Sequence, residues 1–428
     1  MSKLDELLRE LCPNGVEYKK LGEIATVLRG ASPRPIKKYI TNDSDGVNWI
    51  KIGDVPVGSK YITQSEEKIT KEGAEKSRYV RKGDFILSNS MSFGRPYILA
   101  IDGCIHDGWL SISNFKDVFL SDYLYYLLSS SAIQQEMKKR ASFGGAVQNL
   151  NADIVKALVL PVPPIEVQSE IVRILDNFTK LTAELTAELA ARKTQYSFYR
   201  EKLLDKTEMK ALMVEIADLG KWSGGKTPSM AEKKYWESGT IPWVSSKDVK
   251  QPILSDTIDH ITNAAVDEAS MTVYPAGSVA IVTRSGILRH TFPVTYIPFE
   301  TTVNQDIKIL VTKEGISSRY VSHALQAYGE SIRRTTKKQG GTVDSLDFQK
   351  VLAYKIPVPP LDVQNRIVNV LDNFEKICSD LNIGLPAEIE ARQKQYEYYR
   401  DKLLSFKEHK NELSDSRENL SRASEGTQ

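Results

Sequence analysis

The stretch Pro161-Val162-Pro163-Pro164-Ile165-Glu166-Val167-Gln168 has a counterpart 196 residues later, Pro357-Val358-Pro359-Pro360-Leu361-Asp362-Val363-Gln364. In both copies the proline pair keeps the preceding chain extended. It can also open a helix, because the first helical turn needs no N–H from those positions. The two stretches therefore predict two equivalent points at which an extended segment turns into a helix.

Further matches on both sides show that the chain is duplicated. Leu175-Asp176-Asn177-Phe178 returns as Leu371-Asp372-Asn373-Phe374, and Gln195-Tyr196 with Tyr199-Arg200 returns as Gln395-Tyr396 with Tyr399-Arg400. Weaker matches lie upstream, where Trp49 with Asp54-Val55 faces Trp243 with Asp248-Val249. An ordered series of this length indicates an internal repeat that covers nearly the whole chain. Each copy has a divergent segment followed by a well-preserved one.

The preserved segments, 161–206 and 357–405, predict two long helices. Apolar residues follow one another at steps of three or four, which seats one helix against another. The predicted packing residues are Ile171, Ile174, Phe178, Leu181, Leu185, Leu189, Tyr196 and Tyr199 in the first copy and Val370, Phe374, Leu381, Tyr396 and Tyr399 in the second. Gly384 and Pro386 interrupt the second stripe, so we expect a break there and a helix restarted by Pro386.

A tandem tetrapeptide lies inside the first helix, with Thr182-Ala183-Glu184-Leu185 followed by Thr186-Ala187-Glu188-Leu189. Four residues make about one helical turn, so one unit more or less changes the helix length by roughly 6 Å and keeps the apolar face. Most residues of the stripe are expected to be ordinary core. The functional content lies in the length, because two paired helices can act as a spacer.

The divergent segments, 1–160 and 207–356, predict two mixed α/β domains. Short β-branched and aromatic runs alternate with Gly, Ser, Asn and Pro turns, and helical stretches come late in each segment, at 121–129, 132–140 and 317–334. The fold class is thus α+β with an internal repeat. Residues 406–428, rich in Lys, Glu, Ser and Asn, are expected to form a mobile charged tail.

Composition restricts the class of protein only loosely. The 41% of hydrophobic residues and 26% of charged residues are typical of a globular chain, and no run of 18 apolar residues predicts a membrane span. The three cysteines suit neither a disulfide framework nor a zinc site, and no secretory signal is visible, so a cytoplasmic protein is expected. The formal net charge of +2 gives no global basic field, although local basic loops could still bind nucleic acid.

Catalytic motifs are missing from the sequence. It has no G-x-x-x-x-G-K-[ST] phosphate loop and no Asn-Pro-Pro-Phe/Tyr or Asp-Pro-Pro-Tyr motif of an amino-methyltransferase. The five histidines have no metal-ligand spacing, and His106-Asp107 with Ser92 does not lie in a nucleophile elbow. We therefore predict no catalytic residue, no metal site and no cofactor in this chain.

Both divergent segments contain Gly-rich polar loops with basic residues at equivalent places but with different sequences. Arg and Lys can bridge guanine edges, Asn and Gln can read adenine, and nearby cations can hold phosphates. A solvated loop charge is the competing interpretation for each residue taken alone. The candidate DNA-binding residues are Arg29, Arg34, Lys51, Ser90, Arg95 and His106 in the first segment and Lys226, Lys247, Arg284, Arg289, Lys338 and Gln339 in the second.

The duplicated Pro-x-Pro-Pro-x-x-x-Gln start, Leu-Asp-Asn-Phe, the Thr-Ala-Glu-Leu tandem and Gln-x-Tyr-x-x-Tyr-Arg-x-Lys-Leu-Leu resemble the specificity subunits of type I restriction–modification systems. The tandem looks like the type IC subfamily. The resemblance covers residues 1 to about 405. It rests on the helical motifs more than on the divergent segments, which are expected to vary freely in that family.

The resemblance implies two target-recognition domains separated by two long antiparallel coiled-coil helices with pseudo-twofold symmetry. Each domain would read one half of a split, asymmetric double-stranded DNA site, and the helices would set the spacer. Two modification subunits, which carry the S-adenosylmethionine site, and two restriction subunits with motor and nuclease would be the partners. The chain itself would be non-catalytic and would bind no membrane.

A different class of protein stays open from the residues alone. A duplicated coiled-coil scaffold whose globular segments bind protein would share the repeat and the helices. It would show no salt-sensitive affinity for DNA, and this separates the two hypotheses.

Overall fold

The computed structural model describes residues 2–55, 58–89, 93–144, 147–209, 211–338, 343–380 and 383–409, without the side chains of 142–149. Contacts divide the chain into two units, Met1–Glu184 with Ile389–Gln428, and Leu185–Glu388. The first boundary falls inside the tandem tetrapeptide. Each unit therefore combines one divergent segment with part of each preserved segment, whereas the sequence predicted separate domains and helices.

The first unit is built on small sheets. Its strands are β1 (Glu17–Lys20), β2 (Thr26–Arg29), β3 (Ile40–Thr41), β4 (Val47–Ile50), β5 (Tyr61–Ile62), β6 (Glu67–Ile69), β7 (Arg78–Val80), β8 (Phe85–Ser88), β9 (Pro96–Leu99), β10 (Gly103–Ile105), β11 (Trp109–Ser113), β12 (Ser142–Gly144), β13 (Val147–Asn149) and β14 (Val159–Val162). Two five-stranded sheets have the orders β3-β6-β4-β10-β7 and β2-β11-β8-β9-β5, and β1 pairs with β14.

Within the described residues of this unit, the α-helices that precede the preserved segment are α1 (Lys3–Leu11), α2 (Leu21–Ile24), α3 (Lys71–Glu75), α4 (Ser121–Ser129), α5 (Ser131–Arg140) and α6 (Ala152–Lys156). The first preserved segment is one helix of 39 residues, α7 (Ile165–Leu203), about 60 Å long at 1.5 Å per residue. The start of α7 lies in the same buried cluster as β8 and α4, with Ile171, Phe85 and Leu124 fully buried. The predicted unbroken helix is confirmed.

The second unit repeats this pattern with fewer strands. Its strands are β15 (Leu212–Glu215), β16 (Gly220–Gly224), β17 (Ile241–Val244), β18 (Asp259–Ile261), β19 (Ser278–Val282), β20 (Val294–Ile297), β21 (Thr302–Val303), β22 (Ile307–Thr312) and β23 (Lys355–Val358). The sheet orders are β16-β22-β19-β20, β18-β17-β21 and β15-β23. The helices are α8 (Asn263–Glu268), α9 (Ser318–Ala327), α10 (Gly329–Thr336), α11 (Phe348–Leu352) and α12 (Leu361–Ser379).

The second preserved segment is broken where the sequence predicted it. Helix α12 ends at Ser379, and α13 (Leu385–Leu403) begins one residue before Pro386, which lies in its first turn. A side chain at Gly384 would meet the carbonyl oxygens of Lys376 and Asp380 at 2.6 and 2.7 Å, so only glycine fits this close approach. The prediction of a break and a proline-started helix is confirmed.

A buried glutamine fastens each long helix to its domain. Gln168 is fully buried; its Oε1 accepts from the Leu120 backbone N–H at 2.9 Å, and its Nε2 donates to the carbonyls of Val118 and Pro163, both at 2.9 Å. Gln364 repeats this with Ser317, Gly315 and Pro359 at 2.8, 3.2 and 2.8 Å. The last residue of the Pro-x-Pro-Pro-x-x-x-Gln motif is thus a three-bond clamp between helix start and domain.

Aromatic rings pair the helices within each unit. Phe178 of α7 stacks on Tyr399 of α13 at 5.5 Å in the first unit, and Phe374 of α12 stacks on Tyr199 of α7 at 5.6 Å in the second. In the first unit the start of α7 and the end of α13 share one apolar cluster, which fits antiparallel chain directions.

The predicted packing stripe is correct at most of its described positions. Ile171 is buried, and Ile174, Phe178, Leu185, Leu189, Tyr196, Phe374, Tyr396 and Tyr399 are partly buried. Leu181 and Val370 are instead 47% and 41% exposed, and Tyr199 is 37% exposed although its ring stacks on Phe374. Leu371, next to Val370, is fully buried. Steps of three and four leave two adjacent positions equally plausible, and the wrong neighbour was chosen at Val370. Beside Leu181 the partly buried position is the polar Thr182. Leu381 lies outside the described residues.

The start of the predicted tail is not free. Residue Glu408 forms a parallel β-bridge with Val16, and the His409 N–H donates to the Val16 carbonyl at 3.0 Å. The predicted tail boundary at 406 is therefore wrong for residues 406–409, which pair with the N-terminal segment, and the remainder lies outside the described residues. Among the helices that the structure describes, none is long and apolar enough to span a membrane.

The glutamine clamp yields a stability prediction. We expect Gln168→Glu and Gln364→Glu to lower the free energy of unfolding by about 2–4 kcal/mol each, because an acceptor oxygen would then face two carbonyl oxygens in a buried site. Gln64→Glu, on the exposed surface, should change it by less than about 0.5 kcal/mol. Denaturant unfolding measures all three. Equal stability of the Gln168 and Gln64 variants would contradict the clamp.

Candidate nucleic-acid interface

In the first unit the predicted basic residues converge at the carboxyl ends of two parallel strands. Strands β4 and β10 pair in parallel, with Trp49 opposite Cys104 and Ile50 opposite Ile105. Lys51 and His106 are the next residues of the two strands, so they lie side by side. Carboxyl ends of parallel strands are a common place for ligand-contacting loops.

Asp107, one residue further on, organises the charges around it. Its Oδ1 accepts from the Ser32 hydroxyl at 2.6 Å, its Oδ2 lies 3.9 Å from the exposed guanidinium of Arg34, and its carbonyl accepts from Arg29 Nε at 3.2 Å. The hydrogen bond from Ser32 is the main cause that lowers the pKa of the Asp107 carboxyl. Arg29 and Arg34 are thus both held beside Asp107, Arg29 by its backbone carbonyl and Arg34 by its carboxylate.

His106 is more internal than the sequence predicted. Its Nδ1 accepts from the Gly108 N–H at 2.7 Å, and its ring lies 6.3 Å from Trp49 and 6.0 Å from Trp109. Burial lowers the pKa of His106, so its ring is neutral at physiological pH. With 21% of its side chain exposed, it shapes the turn and offers little surface to a ligand.

The other candidates of this unit lie nearby or outside the described part. Arg95 is exposed, and its guanidinium lies 5.6 Å from the centre of the Tyr97 ring, which packs at 5.9 Å against Trp109. Lys51 pairs with Glu67 at 2.9 Å, and this hydrogen bond raises the pKa of the lysine. Ser90 lies outside the described residues.

The second unit builds the same corner from β17 and β21, which also pair in parallel, with Val244 opposite Val303. Lys247 lies exposed on the loop that follows β17, and Lys226 lies exposed on the loop that follows β16. The Lys226 N–H donates to the Val303 carbonyl at 3.0 Å, as the Ala31 N–H donates to the Ile105 carbonyl at 3.1 Å in the first unit.

Acidic partners hold the arginines of the second unit. Arg284 Nε donates to Asp306 at 2.7 Å, and Asp344 lies 3.4 Å from Arg289 and 2.7 Å from Lys337. Lys338 is exposed and paired through its backbone with Ser345, whereas Gln339 lies outside the described residues. Arg284 is therefore bonded to the corner at 304–306 through Asp306, and the Lys226 N–H is bonded to Val303 just before it. Lys247 lies on the loop that follows β17, and Arg289 and Lys338 lie on loops joined to that of Arg284 through Asp344 and Ser345.

The side chains that hold these loops together were not among the residues predicted from the sequence. Thr227 donates a hydrogen bond to Gln305 as Ser32 does to Asp107, and the preceding glycines are equivalent. A Cβ at Gly30 or Gly225 would lie 2.0 or 1.7 Å from a carbonyl oxygen, so both positions require glycine. The signal was available, since Gly-x-[Ser/Thr]-Pro occurs at residues 30–33 and 225–228.

A second polar site lies where domain and helix meet in the second unit. The guanidinium of Arg319 hydrogen-bonds both Asp372 and Glu375, and His323 Nε2 lies 2.7 Å from the Asp372 carboxylate. Burial opposes ionisation of Asp372, but the hydrogen bonds from His323 and Arg319 outweigh it and lower its pKa. His323, Asp372 and Glu375 have ligand atoms close enough for a metal. Arg319 already supplies the positive charge between the carboxylates, so we interpret the cluster as an ion-pair network.

The first unit fastens the equivalent aspartate differently. Tyr126 of α4 donates a hydrogen bond to Asp176, and Lys60 lies 2.5 Å from Asp122 and 4.0 Å from Asp176. The aspartate of Leu-Asp-Asn-Phe is thus the acceptor in both units, whereas its donors differ.

In each copy the helix also presents a strongly exposed aromatic side chain. Phe198 is 58% exposed with Lys202 Nζ 6.0 Å from its ring centre, and Tyr398 is 61% exposed with Lys402 Nζ at 5.8 Å. We call these two places the aromatic patches. They are equivalent, because they lie 200 residues apart in the aligned preserved segments.

The two units share one design, with basic loops gathered at one corner and a helix clamped to the domain. This design is typical of a class of proteins in which two similar domains recognise a two-part nucleic-acid site. Comparisons agree with this class. The model of the type I restriction modification DNA specificity domain matches residues 13–192 and 209–391. The EcoR124I/EcoR124II specificity subunit of Escherichia coli is 43% identical over 294 residues, covering 67% of this chain and 71% of that protein.

Solved structures share the fold. A chain from a type I R-M system, studied for complex assembly and conformational transition, covers 92% of this chain and 98% of its own length at a TM-score of 0.63 and 15% identity. The HsdS subunit of Thermoanaerobacter tengcongensis covers 92% of this chain and 96% of its own length, at a TM-score of 0.52 and 14% sequence identity. The chain belongs to the family of type I restriction–modification specificity subunits, and the predicted family and α+β repeat are confirmed.

Proposed function

We propose that each unit reads one half of an asymmetric, bipartite double-stranded DNA site and that the chain performs no catalysis itself. The observation that carries this proposal is the loop corner at the end of the parallel strands, built twice with different side chains. A shared frame with different polar groups suits two unlike half-sites, because base edges are distinguished by the donors and acceptors that meet them. The residues proposed to contact DNA are Arg29, Arg34, Lys51, Arg95, Lys226, Lys247, Arg284, Arg289 and Lys338.

The proposed function is tested by the methylation pattern that the chain imposes. Co-expressed with its modification subunit in a host without other methylation, the chain should direct adenine-N6 methylation to a motif with two defined halves and an unspecific gap. Methylome sequencing measures it. A chain with Gln168→Glu and Gln364→Glu together serves as the control that should lose the motif through unfolding. Absence of a bipartite motif with the wild-type chain would contradict the proposal and favour the scaffold hypothesis.

We propose further that the helices set the gap between the half-sites. The tandem lies in unbroken helix at the boundary between the two units, with Leu185 and Leu189 partly buried. A change of one tetrapeptide there alters helix length without touching the interior of either domain. The tandem also supports the proposed assignment to the type IC subfamily. A cytoplasmic location is likewise proposed.

Deletion of Thr186–Leu189 tests the spacer. The helix should shorten by roughly 6 Å, so the gap should shrink by one or two base pairs at about 3.4 Å each, with both half-sites unchanged. Methylome sequencing of the deletion variant measures gap and halves together. Substitution of Thr186 and Glu188 by alanine, which keeps the length, should leave the gap unchanged. An altered half-site in the deletion variant would show that the helix does more than set distance.

The equivalent aromatic patches support a proposal about stoichiometry. Aromatic side chains are enriched where protein partners bind. Because the patch occurs once in each unit, a partner that recognises it should bind twice. We propose that two modification subunits dock there and that two restriction subunits join the resulting complex.

Glutamate substitutions test the docking. Phe198→Glu and Tyr398→Glu should each remove one modification subunit, since burying an unpaired charge weakens such contacts by at least tenfold. Native mass spectrometry should show a two-to-one complex for the wild type and one-to-one for each variant. Met230→Glu, at a residue 71% exposed on a loop of the second unit, is the control and should keep the wild-type ratio. Two bound subunits in either patch variant would contradict the assignment.

A further inference from the structure

Two hydroxyl groups hold equivalent loops in the two units. We call residues 30–34 and 225–229 the glycine loops and residues 106–108 and 304–306 the strand-end loops. Ser32 donates to Asp107 at 2.6 Å, and Thr227 donates to the side-chain oxygen of Gln305. Each hydroxyl therefore joins its glycine loop to its strand-end loop, and we call this bond the latch.

The backbone around each latch leaves the loops little freedom. The glycine before the hydroxyl packs directly on the strand's last carbonyls, and the proline after it, Pro33 or Pro228, is buried. The neighbouring N–H groups of Ala31 and Lys226 bond to the carbonyls of Ile105 and Val303. The glycine contact and the backbone hydrogen bond thus already fix the glycine loop to the strand-end loop at two points. The latch adds a third point, and it determines where the exposed end of the glycine loop lies.

The latch is common to both units although its acceptor differs in charge. Asp107 is an anion, because the Ser32 hydrogen bond lowers its pKa, whereas Gln305 is a neutral amide. What the units share is a hydroxyl donating to a side-chain oxygen, so the charge of the acceptor is not the conserved feature. Each glycine loop also carries one exposed cation, Arg34 in the first unit and Lys226 in the second.

A feature present in both units cannot encode two unlike half-sites. It can serve what the half-sites have in common, and this is the phosphate backbone, whose contacts position a protein without reading sequence. We propose that Ser32–Asp107 and Thr227–Gln305 are positioning residues that hold the cation of each glycine loop on a DNA phosphate and contribute nothing to base choice. This inference rests on the proposed DNA-binding function.

Isosteric substitutions separate the latch from its alternatives. Thr227→Val removes the hydroxyl and keeps the shape, whereas Thr227→Ser keeps the hydroxyl; Ser32→Ala and Ser32→Thr form the matching pair in the first unit. The full chain in complex with its modification subunits is titrated with a duplex carrying the methylome-defined site and with a shuffled duplex of equal length. Titrations run across about 50–200 mM salt, because each lost phosphate contact lowers the slope of log K against log salt by about 0.9.

Thr227→Val and Ser32→Ala should each weaken binding to both duplexes about three- to tenfold and lower the salt slope by about one. The hydroxyl-preserving variants should stay within about twofold of the wild type. A purely structural defect would not lower the slope of log K against log salt in the hydroxyl-free variants and leave the hydroxyl-preserving variants unchanged. Unchanged affinity of both hydroxyl-free variants for both duplexes would overturn the proposal.

Acceptor variants test the claim about base choice. Asp107→Asn and Gln305→Glu keep an oxygen for the hydroxyl and change the donors and charge that a base would meet. Methylome sequencing should return the wild-type motif in both cases. A changed half-site would overturn the latch as a sequence-neutral device and make Asp107 or Gln305 a base-reading residue. If the wild-type chain itself gives no bipartite motif, the proposed function fails first, so the two failures are distinguishable.

Discussion

The buried amide of Gln168, repeated as Gln364, is the constraint on which the rest of each unit depends. The Gln168 side chain accepts a hydrogen bond from the backbone N–H at the start of α4 and donates two to carbonyls in different segments. It therefore fixes where the long helix begins relative to the domain. Few other side chains could do this, because the site needs one acceptor and two donors in a plane. The divergent segments can therefore change as long as each keeps the turn before α4 or α9 that presents one N–H and one carbonyl to the glutamine. The third backbone group, the carbonyl of Pro163 or Pro359, belongs to the preserved motif.

The aspartate of Leu-Asp-Asn-Phe adds a second point of attachment that tolerates divergence. In one unit a tyrosine of α4 bonds to it, and in the other an arginine and a histidine of α9 do. The acceptor stays with the helix, and each domain supplies its own donors. Two attachments, two turns apart on the helix, fix an orientation as well as a position, and domains of different surface chemistry can be mounted on one kind of helix in this way.

Much of the fold was predictable because its signals are local. Proline pairs, the 3.6-residue periodicity and the Gly384/Pro386 interruption act within a few residues, and the helices form where they indicate. The exposed Leu181 and Val370 show the limit of periodicity, because it defines a face only to within one position. The pairing of residues 406–409 with Val16 and the division of each helix between two units depend on long-range contacts that no local pattern carries. At the candidate site, the basic loops were predictable by composition. The repeated Gly-x-[Ser/Thr]-Pro could have indicated the hydroxyl of each latch but not its acceptor, because the two are more than 70 residues apart.

Carboxylates lie beside several of the cations that are proposed to contact DNA. Glu67, Asp306 and Asp344 each pair with a lysine or arginine of the loop corners, so the corners carry oriented cations without a strong surrounding field. Exposed ion pairs of this kind add little stability. Their value is orientation, since a held guanidinium loses less conformational entropy when it meets a base or phosphate than a free one does. A DNA-binding protein built this way has weaker long-range electrostatic attraction but better oriented cations. Its selectivity then depends on the loops that hold each cation in place.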